Sequence, residues 1–217
     1  MRLAWPVSVG LTGLALFWLA YAAELTWLRL AAKPLPVLAL AAYCIVRSAP
    51  LAGPIALGLV FGAAGDVLLE AGYFLPGLVA FLLGHVAYVV GFTRAEPRLE
   101  AVRALPFVVF VALVLVLLWP TLGAMRVPVT AYALAIGAMM WRASARARDD
   151  DPRALLGLAG AIVFALSDSL IALNRFRAPI EGVRVPILLT YWSAQTLVAL
   201  SVPPRPSEPS VDAAHRG

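Results

Sequence analysis

Residues 107–118 read FVVFVALVLVLL, a run that contains no polar side chain. A continuous apolar run is typical of a helix surrounded by lipid or by other helices, and it lacks the alternation of a membrane-spanning β-strand. Comparable runs recur along a chain that is 62% hydrophobic and 13% charged, with a mean hydropathy of +0.89. This composition leaves too little polar surface for a soluble globule. The sequence therefore predicts an all-α polytopic membrane protein.

Proline, glycine and charged residues divide the chain into eight apolar runs, some of them shorter than the roughly 20 residues that usually cross a bilayer. We expect residues 1–202 to form one membrane domain of eight transmembrane helices. Residues 203–217, rich in proline, serine and charge, are expected to form a disordered tail. The predicted spans are Leu3 to Ala23, Pro34 to Ser48, Pro54 to Leu69, Tyr73 to Thr93, Ala101 to Pro120, Val127 to Trp141, Ala154 to Leu173 and Val185 to Val202.

The distribution of basic residues predicts the orientation. Eight spans put both termini on one side, and that side receives eleven of the 17 lysines and arginines. The positive-inside rule then favours cytoplasmic termini, and we expect the protein in the inner membrane of a bacterium. The loop arginines account for the net charge of +5, so they predict contact with lipid headgroups and not with nucleic acid.

Two aspartates interrupt the apolar runs. Asp66 lies in the run 51–69 and Asp168 in the run 155–173. An acidic group in a hydrocarbon environment is costly, so a chain that carries two of them is expected to use them. From the helical rise, each lies about 9 Å before the end of its helix, toward the non-cytoplasmic side. Two carboxyls at matching depth predict a functional site.

Other polar and small residues share helix faces with these carboxyls. Polar faces turned toward lipid are unstable, so we expect them to surround an internal cavity. A metal centre built from several histidines is not expected, because the other histidine, His215, lies in the predicted tail. The residues are Gly58, Gly62, Gly65 and Asp66 on the third predicted span, His85 and Tyr88 on the fourth, Asp168 on the seventh, Tyr191 and Gln195 on the eighth, and Lys33 at the edge of the second.

A weak internal similarity links the third and seventh spans. Asp66 is followed by Phe74 after eight positions, and Asp168 is followed by Phe176 after eight positions. This match favours two four-helix halves in parallel orientation.

Several segments, taken in order, resemble the YhhN family of integral membrane lysoplasmalogenases. The resemblance implies hydrolysis of the vinyl ether bond of lysoplasmalogen, of the ethanolamine or choline type, to a fatty aldehyde and the glycerophospho headgroup. It implies no metal or organic cofactor; the implied partners are the lysophospholipid substrate and membrane lipid. The segments are Lys33-Pro34-Leu35, Gly65-Asp66-Val67-Leu68-Leu69, Phe74-Leu75-Pro76-Gly77 through Phe81, Gly84-His85, Tyr88, Ser167-Asp168-Ser169, Tyr191 and Gln195.

Vinyl ether hydrolysis needs an acid and a nearby anion, which two buried carboxyls can supply if one keeps its proton. We expect both aspartates to be catalytic, with the proton on Asp66 and the negative charge on Asp168. The resemblance further implies that His85, Tyr191 and Gln195 hold water or the glycerol backbone and that Lys33 and Arg175 meet the phosphate. Tyr88 is expected to bind substrate or to join helices.

Three other functions fit parts of the pattern. A proton-coupled transporter or channel also uses paired intramembrane acids. An aspartyl intramembrane protease has two aspartates on neighbouring helices, but Ala63 stands where its Gly-x-Gly-Asp motif has glycine. The third alternative is a lipid-binding or assembly subunit.

Overall fold

The protein has an all-α fold in a computed structural model that describes residues 4–47, 49–147 and 151–204. The described residues form nine α-helices and three short 3-10 turns, without any β-strand. The predicted disordered tail falls almost wholly outside them, from residue 205 onward. The helices are α1 (Ala4–Ala22), α2 (Thr26–Ala32), α3 (Leu35–Ile45), α4 (Ala52–Glu70), α5 (Phe74–Ala95), α6 (Leu105–Leu118), α7 (Arg126–Arg146), α8 (Pro152–Phe176) and α9 (Arg184–Leu200).

Each of the eight predicted spans coincides with one of these helices, but the short helix α2 was not predicted. Pro34 and Pro36 cannot donate backbone hydrogen bonds, so the helix that begins at Thr26 is interrupted before α3 continues it. Within the described residues, six segments are long and apolar enough to cross a bilayer. They are Thr26–Ile45, Ala52–Glu70, Phe74–Ala95, Ala101–Thr121, Gly123–Arg146 and Pro152–Phe176.

The remaining two predicted spans are shorter. The apolar part of α1 runs from Val7 to Ala22, and α9 has 17 residues. Eight crossings and two four-helix halves therefore remain predictions.

The turn between α4 and α5 depends on a glycine. Gly72 has a φ of +87°, a conformation that side chains with a Cβ rarely adopt. Its N–H donates to the carbonyl of Leu69, and the N–H of Tyr73 donates to the carbonyl of Leu68. This pair of bonds is a Schellman motif, which ends the helix sharply. It directs α5 back along α4.

Helix α4 packs against α5, α3 and α9. Its glycines allow close approach: a Cβ on Gly84 of α5 would lie 3.0 Å from the carbonyl oxygen of Gly58 on α4. The pair α8 and α9 is similarly close, because a Cβ on Gly160 would lie 3.0 Å from the carbonyl oxygen of Ala194. Small residues thus let polar side chains of α5 and α9 reach the interior.

Helix α6 lies at the periphery. Val108, Leu113 and Val116 are 60%, 65% and 73% exposed, although all three are apolar. Side chains of this kind on an outer face fit contact with the hydrocarbon of a bilayer. One side of α6 nevertheless turns inward, where Val111 and Leu118 are buried.

The end of the bundle opposite the α4–α5 turn is held by arginines. Arg142 is buried, and it donates to the carbonyl oxygens of Arg98, Leu99 and Glu96 in the loop after α5. Arg153 donates to the carbonyl oxygen of Leu200. These bonds satisfy carbonyls of the loop after α5 and a carbonyl that the end of α9 leaves free. We call this the arginine-rich end, and we call the opposite end, which holds the α4–α5 turn, the Glu70 end.

Candidate active site

Asp66 lies on α4 in a polar cluster near the Glu70 end. Its residue is 2% exposed, and the hydroxyl of Tyr191 on α9 donates to its Oδ2 at 2.8 Å. The Nζ of Lys33 lies 3.8 Å from its Oδ1. A buried carboxyl with a cation and a hydroxyl donor has the partners that an ionised group requires.

Glu70, one turn beyond Asp66, binds three cations. Lys33 Nζ lies 3.2 Å from Oε2, and Arg29 Nε lies 3.1 Å from Oε1. Arg184, at the start of α9, donates to both carboxylate oxygens at 2.5 and 2.6 Å. The three cations and two acids of this cluster carry a net charge of +1.

The sequence prediction included Lys33 and Asp66 but missed Glu70 and its two arginine partners. A signal for them exists. Arg29 and Lys33 are four residues apart, as are Asp66 and Glu70, so each pair lies on one face of its helix. Two helices that carry complementary pairs at this spacing are able to pair along one face.

A chain of hydrogen bonds extends from Asp66 into the bundle. Tyr88 on α5 donates to Oε1 of Gln195 at 2.6 Å, and Nε2 of Gln195 donates to the hydroxyl of Tyr191 at 3.2 Å. With the bond from Tyr191 to Asp66, every donor points toward the carboxylate. Three predicted site residues are therefore brought together with Asp66.

The glycines of α4 make room for this chain. A Cβ on Gly62 would lie 2.7 Å from Nε2 of Gln195, and one on Gly58 would lie 2.2 Å from the ring of Tyr88. Both distances are well inside van der Waals contact. The predicted small-residue face is thus occupied by polar side chains of neighbouring helices.

Asp168 lies on α8 with different partners. The hydroxyl of Tyr132 on α7 donates to its Oδ2 at 2.6 Å, and its side chain is 11% exposed. Tyr132 was not predicted, because a lone tyrosine in an apolar span carries no sequence signal for its partner. The pairing exists only because α7 packs against α8.

His85 on α5 faces Asp168. Its Nε2 lies 3.9 Å from Oδ2 of Asp168, too far for a direct hydrogen bond. Its ring meets those of Tyr132 and Phe164 edge-on, at centroid distances of 5.1 and 4.7 Å. Among the described residues neither ring nitrogen has a hydrogen-bond partner, although His85 is 1% exposed. A single water that hydrogen-bonds to Nε2 of the imidazole and to Oδ2 of the carboxyl would give each of these two atoms a partner.

Aromatic rings connect the two aspartate clusters. Phe164 contacts His85 on one side and Tyr191 on the other, the latter at a centroid distance of 5.6 Å. Tyr191 in turn donates to Asp66. The predicted joint action of the two carboxyls on one bond stays a prediction, since each carboxyl has its own set of partners.

Asp168 forms part of the wall of an apolar cavity that is partly open to its surroundings and has a volume of about 70 Å³. Its polar lining residues are Asp168, Tyr132 and Ser169, whereas Asp66 does not line it. The apolar lining comes from helices α4 to α8: Leu69, Phe74, Leu78, Phe81, Phe110, Val111, Val114, Leu118, Val129, Ala133, Ile136, Ala165, Ile171, Ala172 and Phe176.

Arg175 lies at the Glu70 end of this cavity. Its guanidinium sits 4.9 Å from the centre of the Phe74 ring, and Phe74 meets Phe176 edge-on at 5.9 Å. Both phenylalanines line the cavity. Arg175 is exposed and forms no ion pair with any described carboxylate, so its charge is available at the cavity mouth.

Metal coordination was not predicted. Within the described ranges, no group of three or more histidine, cysteine, aspartate or glutamate side chains is arranged to hold a metal ion.

These features define a class: a helical membrane protein with an acidic side chain in the wall of an apolar internal cavity. The chain belongs to the YhhN family, whose sequence profile matches residues 28–202. It is 37% identical to human lysoplasmalogenase TMEM86B over 186 residues, which cover 82% of this chain and 76% of that protein.

Two further relatives have the same activity in their names. Human lysoplasmalogenase TMEM86A is 36% identical over 190 residues, which cover 81% of this chain and 78% of that protein. Lysoplasmalogenase of Mycobacterium bovis is 33% identical over 151 residues, which cover 64% of this chain and 56% of that protein. No solved structure is significantly similar. The names of the relatives do not favour the transporter alternative.

Proposed function

We propose that the protein is a lysoplasmalogenase that hydrolyses the vinyl ether bond of ethanolamine-type or choline-type lysoplasmalogen. The products are a fatty aldehyde and glycerophosphoethanolamine or glycerophosphocholine. The observation that carries the proposal is Asp168, an acid in the wall of an otherwise apolar cavity, in a chain whose relatives bear this name.

The shape of the cavity supports a particular pose of the lipid. Phe176 and Phe74 lie at the mouth, and Asp168 lies eight residues before Phe176, or about 12 Å deeper along the helix. We place the phosphate beside Arg175 and the vinyl ether beside Asp168. The alkenyl chain then continues among the apolar side chains beyond the carboxyl.

The reaction begins with protonation of the β-carbon of the vinyl ether. Asp168 gives its proton to that carbon, and the oxygen-bearing carbon becomes an oxocarbenium ion next to the new carboxylate. Water adds to this carbon and returns a proton to the carboxylate, which leaves a hemiacetal. Collapse of the hemiacetal breaks the bond to the glycerol oxygen and releases the aldehyde. One water is consumed, and no electrons are gained or lost.

We assign the acid role to Asp168, the reverse of the assignment made from sequence. The cation Lys33 lies beside Asp66, and a hydrogen-bond chain ends on Asp66, so these contacts favour its ionised form. Among the described residues the basic side chain within 4 Å of the Asp168 carboxyl is the imidazole of His85, with no lysine or arginine, and the carboxyl borders the apolar cavity. Its environment favours retention of the proton.

The neighbours of Asp168 have supporting roles. Tyr132 donates to Oδ2, which leaves Oδ1 to carry the proton toward the substrate. We propose that His85 and Asp168 hold the attacking water beside the pair, where it hydrogen-bonds to Nε2 and to Oδ2, which lie 3.9 Å apart. Because these side chains are held in fixed positions, the acid, the water and the vinyl ether meet in a geometry that allows reaction.

Asp66 has a different proposed role in this scheme. As an anion held by Lys33 and Tyr191, Asp66 stabilises the positive charge that the oxocarbenium ion brings to the interior of the bundle. Lys33 contacts Asp66 and Glu70, so its charge stabilises Asp66 more than it binds the phosphate of the substrate. Tyr88 and Gln195 orient Tyr191 through the hydrogen-bond chain.

The test is release of fatty aldehyde from lysoplasmalogen by the purified protein in detergent. Asp168→Asn is expected to abolish release, because the amide cannot donate a proton as an acid does. Ser169→Ala is the matched control. This side chain lines the same cavity, but its hydroxyl donates to the carbonyl of Ala165 in its own helix, so activity should persist.

Asp66→Asn measures the contribution of the second carboxyl, and loss of activity in a folded protein would support the anionic role. Full activity of Asp168→Asn would remove this residue from the mechanism. Absence of aldehyde with the unmodified protein and both headgroup types would overturn the proposed function.

A further inference from the structure

A second apolar cavity lies next to the one that contains Asp168. It lies between α6 and α7, is partly open to its surroundings and has a volume of about 330 Å³. Along α6 it extends from Leu115 to Ala104, and on α7 it reaches Trp141, toward the arginine-rich end. The reaction proposed above assigns no role to this space.

The two cavities share one lining residue, Val111. Its side chain is 7% exposed, although α6 is otherwise mostly exposed. Opposite it on α7 stands Gly137, where a Cβ would lie only 2.8 Å from Cγ2 of Val111. At this point the two cavities are thus separated by the isopropyl group of Val111, which packs against the backbone of Gly137.

The length of the first cavity makes this partition important. Along α8 the first cavity extends from Phe176 to Ala165, or about 16 Å, and Asp168 lies about 12 Å from its Phe176 end. Only about 4 Å of this length therefore lies beyond the proposed position of the vinyl ether. One leaflet of membrane hydrocarbon is about 15 Å thick, so most of a typical lipid chain needs additional space. Together the two cavities extend from Leu118 to Ala104, or about 21 Å.

We infer that the second cavity holds the distal part of the alkenyl chain, and that Val111, packed against Gly137, determines which chain lengths the enzyme accepts. This inference rests on the proposed function. The shared wall at Val111, the combined length of the cavities and their apolar linings identify the tail of the substrate as the occupant. Short chains end before Val111, whereas long chains must displace or pass it.

The test compares kcat/KM for lysoplasmalogens with short and long alkenyl chains. Val111→Ala removes two methyl groups from the partition. It is expected to raise the ratio of long-chain to short-chain kcat/KM by about fourfold or more. Burial of one additional methylene group changes an equilibrium constant by about this factor. Val116→Ala is the matched control, since it makes the same change on the same helix at a side chain that is 73% exposed and lines neither cavity.

A reciprocal variant strengthens the test. Gly137→Ala adds a methyl group against Val111 and is expected to lower the same ratio while short-chain activity persists. Thermal unfolding of each variant identifies loss of folding. A chain-length profile of Val111→Ala identical to that of the unmodified protein would overturn the role of Val111 and leave the hydrolase intact. Absence of aldehyde from every chain length would overturn the hydrolase and this inference together.

Discussion

Among single residues, the contact between Tyr132 and Asp168 matters most to the proposed reaction. The hydroxyl of Tyr132 lies 2.6 Å from Oδ2, in a place with little access to water. The bond fixes the orientation of the carboxyl and leaves Oδ1 to carry the proton. Once Asp168 has given up that proton, the same bond is made to a charged group, and such bonds are worth about 1.5–3 kcal/mol.

We predict that Tyr132→Phe lowers kcat/KM by about 10- to 100-fold, which corresponds to the energy of one such hydrogen bond. The ring and its packing against His85 are retained, so the variant should still fold, with its free energy of unfolding lowered by at most about 1–3 kcal/mol for the unsatisfied carboxyl. Kinetics of aldehyde release and a thermal unfolding curve measure the two quantities. Tyr73→Phe, at a side chain that is 61% exposed, is the control. Wild-type kinetics in Tyr132→Phe would show that the hydroxyl does not act through Asp168.

The two aspartates could be predicted from sequence because charge inside an apolar run has few structural explanations. Their partners were harder to predict. Tyr132 and Glu70 lie far from Asp168 and Arg184 along the chain, and only helix packing brings each pair together. Residues at helix ends, such as Glu70, also resemble ordinary loop charges when only the sequence is known.

At the scale of helices, α4 provides the surface against which the polar chain is built. Its glycines could be predicted to allow close approach because their spacing puts them on one face. The sequence left open whether a helix or a ligand approaches. In the structure, Gln195 and Tyr88 occupy that face. The helix α2 was missed because Arg29 and Lys33 made its segment look like a loop.

We predict that Gly62→Ala destabilises the protein by about 1–3 kcal/mol, the usual cost of an overpacked interior. The added methyl would lie 2.7 Å from Nε2 of Gln195 and 3.4 Å from the hydroxyl of Tyr191. Thermal unfolding in detergent measures the change. Gly53→Ala in the same helix is the matched control, because nothing lies within 4 Å of its added Cβ. Equal unfolding temperatures for the two variants would contradict the close packing at Gly62.

At the scale of the whole molecule, hydropathy predicts the fold class and most helix positions, because each helix must hide its backbone polar groups from lipid. The cavity could not be predicted in this way. Its walls come from five helices, and no single helix shows the space that remains when they pack.

We predict that both termini are cytoplasmic, with eight crossings, because the arginine-rich end follows the positive-inside rule. Single cysteines report the orientation, and the native Cys44 is fully buried and should not react. Glu181→Cys, at the Glu70 end, should react with a membrane-impermeant maleimide in intact cells. Leu99→Cys, at the arginine-rich end, should react only after permeabilisation. The opposite pattern would reverse the orientation.

Protonation of the β-carbon of the vinyl ether can be followed by hydrolysis in D₂O, with immediate reduction of the aldehyde to an alcohol and mass spectrometry of the product. Unlabelled aldehyde of a different chain length, added to the same mixture, controls for exchange. We predict one deuterium on the carbon next to the former carbonyl, and no product from Asp168→Asn. Aldehyde that forms without deuterium at that carbon would rule out protonation of the β-carbon.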